Sequence, residues 1–272
     1  MQKLSFITPV LLALLFSPGC KDPDSFEQDP VGNVTAESVG SNEIDPPKDS
    51  PGEDPAVDLP GKEEVIKAHL EAVGGVDSIK KVEMYTRSSA MKMEGPTGES
   101  NGTFHEVFDL VKDRSRVDLD LETYKEAKGW QGQSGWKVNT FEPLRALRPD
   151  EIAIERISVP LSMVQGILDT FGIEAFLPPS RVEFNGTACI KLNFIGSKMD
   201  IYINEKTSLI EGYLLPDFMQ VSLSEYKDFE GVMMFTRQKA EIFVINTTYD
   251  LKVEKIEFNP ELDDARFAKP AG

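Results

Sequence analysis

A two-residue alternation constrains this chain more than any other feature. Residues 116–124 place Val117, Leu119 and Leu121 on one side and Asp118, Asp120 and Glu122 on the other. Successive strand side chains point to opposite faces, so this stretch reads as an antiparallel strand with one buried and one wet side. The pattern recurs. Residues 188–195 bring Ile190, Leu192 and Phe194 together, and a strand over 199–203 follows the turn at Gly196-Ser197. Residues 208–215 and 219–226 read as a further pair around Pro216-Asp217. After a turn at Glu230-Gly231, one long strand is expected over 233–246 and a last one over 249–258.

Helical spacing occurs twice. Val65, Ile66, Leu70 and Val73 share one side of residues 63–73, and Gly74-Gly75 stops that helix. The second helical region begins at Pro149-Asp150-Glu151 and is interrupted at Val159-Pro160. Pro160 suits the first turn of a new helix, with Ser158 as its cap. Leu161, Val164, Ile167, Leu168 and Phe171 then form one apolar stripe ending near Gly172. A strand-rich chain with these helices implies a mainly β (α+β) fold, a single curved antiparallel sheet with helices packed on its concave side.

The N-terminal segment has another character. Lys3 precedes an apolar run over 4–16, and small residues lead to Gly19 and Cys20. Residues 1–19 have the layout of a secretory signal peptide, with an apolar stretch too short for a mature membrane anchor. Cys20 at the cleavage point resembles the bacterial lipobox cysteine, whose thiol is acylated; ordinary secretion with an incidental cysteine is the alternative. From Cys20 to residue 61 the chain is rich in Pro and acids and too poor in apolar residues to fold. It reads as an acidic tether, about 35–40 Å end to end as a random coil, followed by one domain over 62–272. The acylated N-terminus would hold that domain at a membrane of the cell envelope. The net charge of −17 argues against a nucleic-acid partner. With Cys20 acylated, Cys189 is the remaining thiol, so neither an intramolecular disulfide nor a zinc pattern is available.

Several segments, in order, resemble the envelope proteins related to LolA and LolB. They are AHLEAVGGVDSIK at 68–80, GQSGWKVN at 132–139, RPDEI at 148–152, NEKT at 204–207, SEYKDFEGV at 224–232, IEFN at 256–259 and FAKP at 267–270. The resemblance covers most of 62–270. It implies an open, half-closed β-barrel with an apolar concavity capped by helices, which in the best-known members holds the acyl chains of lipoproteins in transit. Receptors of the LolB type are membrane-tethered, so the tether fits that branch. The implied partner is a lipid or an acylated protein.

A lipid cavity needs large, adaptable apolar side chains on a concave face, which methionine supplies well. The candidates are Met91, Met93 and Phe104 on early strands, Met163, Ile167 and Phe171 on the helical lid, and Met219, Val221, Met234 and Ile242 on late strands. The same side chains could equally fill a core against one another, as apolar stripes do. Trp130 and Trp136 flank a Gly-rich turn and suit a pocket mouth or partner surface, or pin the hairpin to its sheet. No catalytic residue, metal site or cofactor is expected. His105 and Glu106 adjoin on a strand and so face opposite ways, which makes a poor dyad. Asp118, Asp120 and Glu122 could attract a cation, but solvated strand faces look the same. Cys189 alternates within an apolar strand with no activating base in view. The reading is a non-enzymatic lipid-binding lipoprotein, with a self-filled interaction module as the alternative and a hydrolase as a third.

Overall fold

Two short helices open the domain, α1 (Lys62–Ala72) and α2 (Val76–Lys80). Six strands then run outward in sequence: β1 (Met84–Gly95), β2 (Gly98–Asp109), β3 (Arg114–Leu121), β4 (Lys125–Gln131), β5 (Ser134–Asn139) and β6 (Arg145–Ala146). Helices α3 (Pro149–Ile157) and α4 (Met163–Phe171) follow. The chain returns through β7 (Ser180–Phe184), β8 (Thr187–Phe194), β9 (Met199–Asn204), β10 (Ile210–Leu215) and β11 (Met219–Ser224). A small hairpin of β12 (Lys227–Phe229) and β13 (Val232–Met234) precedes β14 (Arg237–Ile242) and β15 (Thr247–Phe258). This is a computed structural model that describes residues 59–157, 161–196 and 198–270. The expected leader, Cys20 and nearly all of the acidic segment lie outside the described residues, as do Ser158 and Pro160.

Thirteen strands form one antiparallel sheet in the order β6-β5-β4-β3-β2-β1-β15-β14-β11-β10-β9-β8-β7. It does not close, and the result is an open half-barrel. The order explains the lid. Strands β6 and β7 sit at opposite edges, so the chain between them must cross the whole sheet, and that crossing carries α3 and α4. Strand β15 pairs with β1 at the middle, which joins the outward and returning halves.

The alternation read over 116–124 holds, with Val117, Leu119 and Leu121 buried. Ile190, Leu192 and Phe194 are buried on β8 in the same way. Helix α1 buries Val65, Ile66 and Leu70 and ends as expected at Gly74-Gly75. Gly74 has φ +110°, and a Cβ there would lie 2.0 Å from the Gly231 carbonyl oxygen. The glycine is therefore needed where the turn of the β12–β13 hairpin docks on the end of α1, and the Met233 N–H donates to the Val73 carbonyl beside it.

Two expectations are corrected. The long strand over 233–246 is broken into β13 and β14 with a 3₁₀ turn, Phe243–Ile245, after them. The break falls at Phe235-Thr236, where the Thr236 N–H and hydroxyl bond the Glu225 carbonyl. Asn246, in the left-handed region, starts the turn into β15. Helix α4 begins at Met163, capped by Ser162, whose hydroxyl accepts from the Gln165 N–H at 3.0 Å. Among the described residues no helix is long and apolar enough to cross a membrane.

Candidate functional site

A cavity of about 130 Å³ lies between the buried face of the sheet and the lid. Its apolar walls come from Phe104 and Phe108 of β2, Val117 and Leu119 of β3, and Leu223 and Leu251 on the returning half. Leu161 and Met163 reach in from the lid, and Met233, Met234 and Phe235 from the hairpin region.

The rest of the lining is charged or polar. Arg87 and Glu106 face each other directly across β1 and β2, and the Arg87 Nε donates to the Glu106 carboxylate. Both are buried, and Phe235 lays its ring 5.0 Å from the guanidinium carbon. On the neighbouring strands Lys128 and Lys137 stand opposite each other across β4 and β5. Two ammonium groups so placed repel unless each has a carboxylate. Glu126 supplies one, 3.0 Å from Lys137, and also accepts from the Tyr124 hydroxyl. Glu155 supplies the other from α3, 2.6 Å from Lys128. Burial, with a smaller push from the Glu126 charge, raises the Glu155 carboxyl, opposed by the Lys128 ammonium beside it. Outside the cavity, Arg156 continues this attachment of α3 by donating to Asp113 and to the Gly132 carbonyl.

His69 of α1 also lines the cavity. Its Nδ1 lies 2.9 Å from the Ser208 carbonyl oxygen, which can only accept, so Nδ1 carries the proton. Nε2 is buried without a partner, and burial lowers the pKa of the ring. Three tyrosines complete the polar wall. Tyr226 donates to the Ile210 carbonyl at 2.8 Å, Tyr249 accepts from the Gln238 amide, and Tyr213 stands near Arg87. Burial raises the Tyr213 phenol to about 12, against the lowering pull of Arg87.

Of the residues named from sequence for a cavity, Phe104, Met163 and Met234 line it. Met91, Ile167, Met219, Val221 and Ile242 do not; they are buried among other apolar side chains in the core. Met93 is partly buried at the margin of that core. Phe171 is 49% exposed, its ring 5.3 Å from Phe194 at the end of the lid. Trp130 and Trp136 are both buried and neither lines the cavity, which corrects the mouth and partner-surface reading. Trp130 packs 5.9 Å from Phe108, and Trp136 lies over Gly129, where a Cβ would meet its ring at 3.1 Å. Both pin the hairpin.

Other candidates are engaged elsewhere. Asp118 is bonded to Arg116 and Asp120 to Lys125. No group of three or more His, Cys, Asp or Glu is placed to hold a metal among the described residues. Cys189 is fully buried beside Phe184 and Tyr202, and burial pushes its thiol up to about 11.

The charged lining escaped the sequence reading, although one signal for it was present. Glu106 has the same strand parity as Phe104 and Phe108, and Arg87 the same parity as Tyr85 and Met91. A charge on the apolar face of a strand marks a buried pair, because an unpaired buried charge costs too much to keep.

This chain is similar to a LolA superfamily protein from Nitrosomonas europaea, with a TM-score of 0.49 and 11% identity over 78% of this chain and 99% of that one. It is also similar to a DUF1329 family protein from Desulfovibrio piger, with a TM-score of 0.48 and 10% identity over 76% and 96%. A domain from Vibrio parahaemolyticus assigned to outer membrane lipoprotein sorting gives 0.48 and 10% over 76% and 95%. No protein-family model and no curated protein matches the chain. At these identities the likeness concerns the fold alone and carries no ligand and no residue role with it.

Proposed function

We propose that this domain is a non-enzymatic binding protein of the cell envelope that takes an apolar or amphipathic ligand into its half-barrel. The observation that carries the reading is the cavity walled by Phe104, Phe108, Met163 and Met234, with Leu161 and Met163 reaching in from the lid. Burying a ligand there would contribute about 0.8 kcal/mol per methylene removed from water. At about 130 Å³ the cavity is close to an engineered protein cavity of about 150 Å³ that binds benzene. It suits a single ring or the end of a chain as it stands, and a whole acyl chain requires the lid to lift. The name of the Vibrio parahaemolyticus neighbour, which points to lipoprotein sorting, agrees with such a ligand. Acylation of Cys20 would tether the domain to the membrane that supplies it. The carboxylates Glu106, Glu126 and Glu155 are each held by a cation, which favours binding over turnover.

A second reading has one observation in its favour. Ile167, Val221 and Ile242 fill the core under the returning strands, so much of the concavity is occupied by the protein itself. On that reading the domain recruits another envelope protein through its surface. Native mass spectrometry of the purified protein, with lipid extraction of the same sample, separates the two. A bound species released as lipid on denaturation supports the binding protein. A clean apo mass that does not shift when lipid or acylated peptide is added leaves the interaction module.

A further inference from the structure

The polar end of the cavity narrows the ligand class, resting on the binding reading above. Arg87, Glu106, Tyr213, Gln238 and Tyr249 all line the cavity. Their hydrogen-bonding capacity is unbalanced. The Arg87 Nη1 is buried with no acceptor. The Tyr213 hydroxyl makes no hydrogen bond with a described residue. The Tyr249 oxygen accepts from Gln238, which leaves its own O–H proton to donate. Three donors here thus lack an acceptor, and the one on Arg87 is buried, where a donor left unmade is expensive. The unpartnered acceptor on this cavity, His69 Nε2, belongs to α1.

Charge, by contrast, is balanced. Glu106 neutralises Arg87, Glu155 neutralises Lys128, and Glu126 neutralises Lys137. A charged headgroup entering this low-dielectric space would find no unmatched counter-charge and would lose its hydration. An uncharged oxygen loses far less on leaving water and meets the free donors.

We propose that the cavity takes an uncharged amphipath, an apolar body bearing a carbonyl or hydroxyl oxygen that accepts from Arg87, Tyr213 and Tyr249. The oxygen can belong to an ester lipid or to a free alcohol, since both present the same acceptor. The chain of such a ligand would lie along Phe104 and Leu251 toward Met163, on the apolar side of the same cavity.

Three eight-carbon probes with the purified full-length protein at about pH 7.5 test this: 1-octanol, octanoate and octylammonium, each followed by calorimetry. The two ions are fully charged at that pH. Octanol is expected to bind at least about tenfold more tightly than either ion, the difference expected from leaving a buried charge unmatched. The Tyr213→Phe variant, which keeps the ring and loses the donor, should weaken octanol about three- to tenfold. Replacing the pair together, Arg87→Met with Glu106→Leu, should abolish the preference for octanol while the protein still folds. Octanoate or octylammonium binding as tightly as octanol would overturn the uncharged-head inference and leave the cavity reading intact. An octanol affinity unmoved by Tyr213→Phe would overturn it as well, with water alone satisfying the polar end. Failure of all three probes to bind would remove the cavity reading itself.

Discussion

The two halves of the sheet bury different chemistry. Strands β1–β5 bury Arg87, Glu106, Glu126, Lys128 and Lys137 on the face that carries the cavity, and Asp109 and Arg114 on the other face, where Arg114 meets Phe267 and Asp264. The returning strands β8–β11 and β14 bury Cys189, Ile190, Leu192, Ile201, Ile203, Val221 and Ile242, with no buried charge among their described residues. The lid divides in the same way. Helix α3 adds the ion pairs of Glu155 and Arg156 to a buried Ile152, whereas α4 is held by apolar contacts, with Val164 and Ile167 in the core and Phe171 against Phe194 of β8. The difference teaches what holds each lid helix down. An ion pair that opens into water recovers hydration for both partners, so separating it costs little net free energy. Pulling Val164 and Ile167 into water has no such compensation, because each loses about 1.5–3 kcal/mol of burial. Because α3 also buries Ile152, lifting either lid helix off the sheet exposes apolar surface.

Four experiments break or sharpen this contrast. The largest effect is expected from Arg87→Met, which leaves Glu106 buried and alone and should cost about 3–5 kcal/mol in urea denaturation. Adding Glu106→Leu should restore most of the loss; a double variant no more stable than the single one would mean that the pair itself holds the outward half together. Ile167→Ala in the apolar half should cost about 2–5 kcal/mol by the same measurement, since the side chain is fully buried. Here no second substitution of charge should compensate, and a loss below about 1 kcal/mol would show that α4 is not the clamp.

A smaller effect is expected where the two lid helices meet. Ser162→Ala removes the cap that accepts from the Gln165 N–H and should cost about 1 kcal/mol. Hydrogen exchange should then quicken in the first turn of α4 ahead of the sheet. The smallest is a pH effect. The folded protein holds His69 neutral below its ordinary value, so the unfolded chain takes up the proton first. The contribution is complete above about pH 6.5 and falls away as pH drops through the lowered folded pKa. In denaturant midpoints measured between about pH 7.5 and 5.5, His69→Gln should flatten that part of the curve. An unchanged slope would place the titration elsewhere.

Much of the architecture was legible because strand and helix periods are local. The parity of Ile190, Leu192 and Phe194 assigned their face, and Gly74-Gly75 marked the end of α1. The break at Phe235-Thr236 was not legible, since it depends on the Glu225 carbonyl, a partner eleven residues away that captures the Thr236 hydroxyl. For the site, Phe104, Met163 and Met234 were named among others of the same type that turned out to be core. Parity reports that a side chain points inward. It does not report whether another side chain or an open space meets it there, so Met91 and Ile242 read the same as Met234.

What the sequence determined by itself is the strand-rich class, the inward face of the strands that were read, and a central helical pair between two sets of strands. Each follows from side-chain spacing over a few residues. Only the tertiary structure decided that β6 and β7 lie at opposite edges, that the helices must therefore span the opening, and that Glu155 thereby reaches Lys128. Only it decided that the cavity is lined with matched charges as well as apolar walls. Ion pairs and voids are properties of residues far apart in the chain, and they exist only once the long-range register has set their distances.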